Sequence, residues 1–405
     1  MISLRHRHFS TALRVPRACT ASRVQCGSRA LSAASVRAVS STNDVHPMAH
    51  VPVLLQETLA ALCPETIDAV GPLHFVDGTA GCGGHARAIL QTFPEAKVLC
   101  VDRDPEVLTT AQANLVDFHC RVSFCTGSYA DLTTHLKRAT FPREVDGILV
   151  DLGANSFHFD AARRGFSVMK DGPLDMRFDQ SDSERPTAAD AVNTLSEVQL
   201  TKIFRSYGEE KLAKEFAKAI VREREERGTV FETTRELREC IERIANMWKS
   251  PKVKKGSHKQ TGKRASRIGS THPATRCFQA LRIHVNDELH HVERGVKLLA
   301  NHLAPHRRLV TIAFHSLEDR PIKRFFRELD EQGRVDAAEN EDDVNEWDDR
   351  CSHEADDGNR DDDINMLCNK RFRLTRRKAT KATAEEIAIN SRSRGARMRC
   401  LERIR

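Results

Sequence analysis

The stretch FVDGTAGCGGH, from Phe75 to His85, decides the fold. In it a short apolar run ends in an acid, Asp77, and then breaks into closely spaced glycines. Such a turn follows the first strand of a doubly wound α/β domain, where glycines let the backbone approach a ligand and open the next helix close to the sheet. Glycine richness alone also fits an ordinary tight turn, so the prediction depends on the residues that follow.

Three more apolar runs follow at the spacing of such a domain. The run VLCVDRD, residues 98–104, contains Asp102, about 25 residues after Asp77, where such folds bind a ribose. The other two runs precede Tyr129 and Asp151, and helix-like segments separate them. Alternating strands and helices predict a parallel sheet with ligands beyond the carboxyl ends of its strands. The acids and the tyrosine at these strand ends should therefore share one pocket.

The spacing of the glycines favours adenosylmethionine over a dinucleotide. Gly81 and Gly83 follow the strand-end acid in an order that differs from the G-x-G-x-x-G of dinucleotide oxidoreductases. Adenosylmethionine carries a sulfonium and an α-amino group but no phosphate, so nearby acids are favourable and a phosphate-binding Lys is unnecessary. No G-K-[ST] follows the glycines, which argues against a P-loop NTPase.

Long blocks of the sequence resemble the RsmH/MraW family of small-subunit ribosomal RNA cytosine-N4 methyltransferases, over most of residues 50–330. The blocks are HVPVLLQETL (50–59), DGTAGCGGH (77–85), VDRDP (101–105), RRGFSVMKDGPLDMRFD (163–179), YGEE (207–210), HPATRCFQALRIHVNDEL (272–289) and FHSLEDR (314–320). A weaker likeness to the family's C-terminal signature lies at residues 390–396. The resemblance implies an α/β, class I (Rossmann-like) adenosylmethionine-dependent methyltransferase with an inserted helical domain.

The resemblance also implies which residues bind the cofactor. The family's contacts map onto Gly83, Gly84, His85, Asp102, Tyr129 and Asp151. Tyr129 stands where a Phe is usual, and an aromatic ring there can still pack against adenine. After the fourth strand the family has Gly-Val-Ser-Ser-Pro-Gln, whereas residues 153–158 read GANSFH, so His158 replaces a Gln that contacts the cofactor.

The downstream blocks supply candidates for positioning RNA. These are Arg164, Asp175, Arg177, Arg276, Arg282, His315 and Arg320. Each arginine is equally suited to bracing the domain interface through ion pairs, because arginine fits both roles.

The resemblance implies direct transfer of the sulfonium methyl to the exocyclic amine of a cytidine in the decoding region of mitochondrial small-subunit rRNA. That amine is a poor nucleophile because its lone pair is delocalised into the ring, so an acceptor for its N–H favours the reactive geometry. Asp151 is the predicted positioning group and cofactor contact. A charged base is not required, because the methylated amine becomes acidic and can lose its proton to water.

Three other functions compete with this reaction. Cytosine-C5 transfer needs an attacking Cys, commonly in a Pro-Cys dipeptide, and the chain contains no such dipeptide. A catalytically weak assembly factor of the mitochondrial small ribosomal subunit is the alternative, favoured by the altered residues 155–158. A small-molecule methyltransferase would leave the basic segments of the chain unexplained.

Composition divides the chain into segments. Residues 1–43 contain seven Arg and neither Asp nor Glu, which is typical of a mitochondrial transit peptide, with a basic RNA-binding arm as the alternative. The methyltransferase domain occupies 44–156 and 272–335, and a helical substrate-recognition insertion, 157–271, interrupts it. Within the insertion, 249–267 form a basic loop with eight Lys or Arg and no acid. Residues 336–369 are predicted to be an acidic disordered spacer or RNA mimic, and 370–405 a basic C-terminal tail suited to holding RNA.

Composition also limits the partners. The net charge is only +7, so binding to small-subunit rRNA or its assembling particle depends on local basic patches. No apolar run approaches the roughly 18 residues of a membrane span, so no membrane association is expected. The twelve Cys include no C-x-x-C pair and suggest buried residues of a matrix protein rather than disulfides or a metal site. The sequence does not define an oligomeric state.

Overall fold

The computed structural model describes residues 52–63, 71–249, 272–342, 367 and 370–405. The predicted transit peptide, the basic loop beyond Lys249 and most of the acidic segment lie outside these ranges. The strands are β1 (His74–Asp77), β2 (Lys97–Asp102), β3 (Val122–Thr126), β4 (Val145–Asp151), β5 (Leu303–Ala313), β6 (Phe372–Leu374) and β7 (Arg397–Arg403). The helices are α1 (Leu55–Leu62), α2 (Gly84–Thr92), α3 (Pro105–Asn114), α4 (Leu132–Arg138), α5 (Ser156–Asp160), α6 (Ala188–Thr194), α7 (Glu197–Ser206), α8 (Ala213–Arg227), α9 (Thr234–Lys249), α10 (Pro273–Asn286), α11 (Glu288–Asn301), α12 (Ser316–Asp342) and α13 (Ala384–Ile389).

The strands form one sheet in the order β3-β2-β1-β4-β5-β7-β6. Strands β1 to β5 are parallel, and β7 and β6 complete the edge in antiparallel pairing. The order reverses direction at β1, with β2 on one side and β4 on the other, and ligands bind at such a switch point beyond the carboxyl ends of the strands. The predicted Rossmann-like α/β fold is confirmed.

Strand residues alternate between two apolar layers, as a period of two requires. On β1, Phe75 packs with α1, α2 and α3, whereas Val76 packs on the opposite face with α4, α11 and α12. Leu149 and Val150 of β4 divide in the same way. Both faces of the central strands are therefore covered, which explains their continuous apolar sequences.

Helices α6 to α10 build a separate apolar core. Its members include Phe204, Phe216 and Phe231, and the cluster extends from Leu174 to Val285. Helix α10 contributes to it, although its sequence predicts a place in the second part of the methyltransferase domain. The helical core therefore extends beyond residue 271 and reaches the sheet through the junction of α10 and α11. Among the described residues, no helix combines the length and apolar character needed to cross a bilayer.

The C-terminal residues differ from the basic tail that the sequence predicts. Residues 372–374 and 397–403 are strands of the main sheet. Arg399 of β7 is buried, and its guanidinium donates two hydrogen bonds to the carboxylate of Asp319 of α12, at 2.7 and 3.1 Å. Arg403 is likewise buried and pairs with Glu144 at 2.6 Å. These arginines stabilise the sheet edge instead of facing a partner.

Candidate active site

The turn between β1 and α2 uses backbone conformations that glycine adopts readily. Gly81 and Gly83 have φ angles of 54° and 85°, in the left-handed region. Gly83 is the N-cap of α2, and a Cβ on Gly84 would lie 2.6 Å from the ring of Pro52. The turn therefore presents nearly bare backbone at the carboxyl edge of the sheet.

The carboxylate of Asp102 lies against this turn and is oriented by two backbone groups. The Gly81 N–H donates to Oδ2 at 2.8 Å, and the Asp104 N–H donates to Oδ1 at 2.9 Å. Each oxygen keeps further acceptor capacity. Burial raises the pKa of Asp102, against the effect of these two hydrogen bonds. The arrangement suits a pair of ligand hydroxyl groups.

Two further carboxyl groups, Asp77 and Asp151, end the neighbouring strands β1 and β4. Burial raises the pKa of Asp77 to about 7. Burial, and then the charges of Asp77 and Glu318, raise the pKa of Asp151 well above its usual range. Asp77 Oδ2 and Asp151 Oδ1 are buried and find no hydrogen-bond partner in the described part of the chain. Two unsatisfied acids at one site are costly unless a cation or hydrogen-bond donor joins them.

His85 faces Asp151 from the first turn of α2. Its Nε2 hydrogen-bonds the carbonyl of Val53 at 3.1 Å, and its Nδ1 lies 3.9 Å from Asp151 Oδ2. Burial lowers the pKa of His85 to about 4, so the ring is neutral near pH 7. Because Nε2 must carry the proton to donate to the carbonyl, Nδ1 is left as an acceptor.

Tyr129 is fixed from two directions at the same edge. A Cβ on Gly78 would lie 3.0 Å from the Cβ of Tyr129, and a Cβ on Gly295 of α11 would overlap the tyrosine ring. Burial raises the pKa of the phenol, so it stays protonated. The structure thus brings the predicted turn, Asp102, His85, Tyr129 and Asp151 to one edge of the sheet.

His158 differs from the direct cofactor contact predicted for it. The Asn155 N–H donates to Nδ1 at 3.0 Å, and Nε2 is 2.8 Å from Asp104 Oδ2. The ring is 3% exposed and packs against Phe166 and Phe178, which also contact each other. Both nitrogens are therefore already used by the protein, and the geometry leaves neither for a cofactor.

Most of the residues predicted to position RNA form internal contacts. Arg164 is 1% exposed and bonds Asp104 at 2.7 Å. Asp175 and Arg177 pair with each other in two hydrogen bonds of 2.9 Å. The largely buried guanidinium of Arg282 donates to both oxygens of Glu288 at 2.8 and 2.9 Å. These residues brace the structure, because these internal ion pairs already engage their charged groups.

The remaining candidates are more exposed. Arg276 is 3.7 Å from Glu210, and Arg320 is 68% exposed with a 3.4 Å contact to Glu209. His315 Nε2 lies 3.0 Å from Glu318 Oε1. Glu318 has a lowered pKa, because hydrogen bonds and charge from His315 and the charge of Arg282 outweigh burial.

Two buried polar residues that the sequence analysis does not single out complete the site. Asp104 is the N-cap of α3 and accepts two backbone N–H groups. Asn286, at the end of α10, donates to the Met176 carbonyl and accepts the Phe178 N–H. The Asp-Pro pair at a helix start is a signal for the first. Nothing local marks Asn286, because its partners lie 110 and 108 residues earlier in the chain.

Comparison with known proteins agrees with this geometry. A profile of the MraW methylase family matches residues 47–342. A protein of Syntrophotalea carbinolica called ribosomal RNA small subunit methyltransferase H is 39% identical over 363 residues, which cover 88% of this chain and 98% of that protein. One of the same name from Caulobacter vibrioides is 43% identical over 279 residues, covering 69% of this chain and 78% of its own.

A eukaryotic relative matches over a similar length. The probable methyltransferase-like protein 15 homolog of Drosophila melanogaster is 37% identical over 364 residues, covering 89% of this chain and 94% of that protein. The match spans the glycine turn, the strand-end acids and the helical insertion together. The chain belongs to the MraW methylase family.

Proposed function

We propose that this protein transfers a methyl group from adenosylmethionine to the exocyclic N4 of a cytidine in the decoding region of mitochondrial small-subunit rRNA. The observation that carries the proposal is the pair of buried, unpartnered carboxyl oxygens of Asp77 and Asp151 beside the glycine turn, in a member of this family. The relatives that are named ribosomal RNA small subunit methyltransferases support an rRNA substrate.

The residues at the site fit adenosylmethionine. The acids Asp77 and Asp151 favour a cation, and the carboxylate of Asp102 suits ribose hydroxyls. Gly81 and Gly83 give the turn beside them the left-handed backbone that it needs. When bound, this cofactor supplies an electrophilic methyl group on a positively charged sulfur. A positive charge near the two acids would lower their raised pKa values and return them to carboxylates.

Asp151 is the group best placed to orient the cytosine amine. Its backbone N–H donates to Thr79 Oγ1 at 2.6 Å, which fixes the end of β4 against the glycine turn. Its Oδ1 is free of partners within the described structure and can accept an amine N–H. An amine that donates to this oxygen is held with its lone pair directed away from the carboxylate. Asp151 can also receive the proton that the amine loses.

Substrate and location rest on segments of the chain that remain predictions. The exposed Arg320 and the predicted basic loop 249–267 are the proposed RNA contacts. Residues 1–43 have the composition of a mitochondrial transit peptide, and the insect relative supports a eukaryotic setting. We place the protein in the mitochondrial matrix on these grounds.

The test is a methyl-transfer assay with labelled adenosylmethionine and small ribosomal subunits that lack the modification, followed by nucleoside mass spectrometry. We expect labelled N4-methylcytidine from the wild-type chain. We expect Asp151→Asn to lower kcat by about a hundredfold, because it removes the carboxylate that holds the amine. Labelled 5-methylcytidine would contradict the proposed chemistry, and cofactor binding without any methylated nucleoside would favour the assembly factor.

A further inference from the structure

Hydrogen bonds from the backbone orient the carboxylate of Asp102. The role inferred below for the residues that support them rests on the proposed use of adenosylmethionine. One oxygen of Asp102 is held by the glycine turn and the other by the backbone N–H of Asp104. The orientation of Asp102, the proposed ribose-binding residue, therefore depends on the position of Asp104.

Asp104 is itself held from two sides. Its Oδ1 accepts the N–H groups of Glu106 and Val107 at the start of α3, at 2.9 and 3.3 Å. Its Oδ2 lies 2.8 Å from His158 Nε2 and 2.7 Å from a guanidinium nitrogen of Arg164. Burial acts to raise the pKa of Asp104, but the contacts with His158 and Arg164 outweigh it and lower that pKa. The group is a fixed carboxylate.

The tautomer of His158 follows from its contacts. Nδ1 accepts the Asn155 N–H at 3.0 Å, so the proton of the neutral ring lies on Nε2 and points to Asp104. The rings of Phe166 and Phe178 pack against the imidazole, with centroids 4.8 and 5.0 Å from its own. One acceptor and one donor on opposite sides of the ring are thus both engaged.

Arg164 joins this cluster to the segment that leads into the helical core. Besides Asp104, its guanidinium donates to the carbonyls of Arg177 and Phe178 at 3.0 and 2.7 Å. A continuous path of hydrogen bonds therefore connects residues 177–178 to the carboxylate of Asp102.

We propose that His158 and Arg164 are positioning residues for cofactor binding, which fix Asp104 and through its backbone N–H fix the carboxylate of Asp102. His158 acts without touching the cofactor. A glutamine at position 158 can play the same part, because one amide offers a donor for Asp104 and an acceptor for the Asn155 N–H.

The test compares His158→Phe with His158→Gln in the full-length chain. Phenylalanine keeps an aromatic ring against Phe166 and Phe178 but offers neither hydrogen bond. We expect it to raise the Kd for adenosylmethionine, measured by calorimetry, about tenfold. Glutamine should keep the Kd within about threefold of wild type. In the transfer assay the KM for adenosylmethionine should follow the Kd, with kcat at saturation within about twofold.

A matched control separates positioning from general stability. His302 is equally buried and hydrogen-bonds Thr133 and the Arg143 carbonyl near the opposite, amino end of the strands. His302→Phe should lower the Tm and leave the Kd unchanged. If His158→Phe fails to fold, Asp104→Asn takes its place, because it turns one acceptor oxygen into a donor facing His158 and Arg164; its Kd should also rise about tenfold.

The outcomes separate this positioning role from the proposed function. Wild-type protein that binds no adenosylmethionine would reject the proposed cofactor and the positioning role with it. Binding by His158→Phe, or by Asp104→Asn in its place, equal to that of wild type would overturn the positioning role alone. So would a glutamine variant as weak as the phenylalanine variant, because the two hydrogen bonds would then not be the cause.

Discussion

The charge of Asp77 should change near neutral pH. Burial raises its pKa to about 7, whereas in the unfolded chain it titrates near 4. Between pH 4 and pH 7 the Asp77 carboxyl group holds its proton more tightly in the folded protein than in the unfolded chain. Protonated Asp77 therefore adds to the free energy of unfolding at low pH, and this contribution is lost as pH rises through about 7. A bound cation favours the ionised form of Asp77, so cation binding becomes stronger as pH rises.

The affinity for adenosylmethionine should therefore rise as pH increases from about 5.5 to 7.5, approaching a factor of ten per unit below the pKa of Asp77. His85 stays neutral over this range because burial lowers its pKa to about 4. Calorimetry at several pH values measures the slope, and Asp77→Asn should lower it, leaving the part that Asp151 contributes. The exposed Asp117 supplies the control variant, Asp117→Asn, which should keep the wild-type slope. An affinity independent of pH in the wild type would show that Asp77 does not face the bound charge.

Among the elements, β7 is held in place by a buried ion pair that its sequence does not reveal. Arg399 and Asp319 are both largely buried, and the guanidinium makes two hydrogen bonds to the carboxylate. Arg399→Met should lower the free energy of unfolding by roughly 3–5 kcal/mol, because it leaves Asp319 buried without its main partner. Urea denaturation measures the change.

The control on the neighbouring strand is Arg373, which pairs with Glu402 at 3.2 Å but is 59% exposed. Arg373→Met should change stability by no more than about 1 kcal/mol. Equal effects of the two variants would argue against a sheet edge built on Arg399. Adding Asp319→Leu to Arg399→Met should restore much of the lost stability, since no unpaired charge then remains.

These elements also show what a sequence can predict. The turn at Gly81, the strand end at Asp102 and the fold follow from residues close together in the chain, where spacing and backbone freedom decide the structure. Strand β7 reads as a basic tail because the partners that bury Arg399 and Arg403 lie 80 and 259 residues away. The role of His158 depends in the same way on Asp104, 54 residues earlier. Long-range ion pairs leave no local pattern to read.

For the whole molecule, RNA binding should depend on local basic segments, because the net charge of +7 is small for 405 residues. Several arginines predicted to position RNA instead form internal ion pairs, Arg164 and Arg282 among them, which makes the basic loop 249–267 the stronger candidate for binding RNA. Replacing the eight Lys and Arg of this loop by Ser, with the length kept, should weaken RNA binding. The logarithmic salt slope should fall by about 0.7 for each phosphate of single-stranded RNA that the protein ceases to neutralise. Filter binding at several salt concentrations measures both quantities.

Replacing the three neutral residues Gln260, Thr261 and Gly262 by Ala should leave the slope unchanged. If the charge-free loop keeps the wild-type slope, the RNA must bind elsewhere, and the exposed Arg320 becomes the residue to change next.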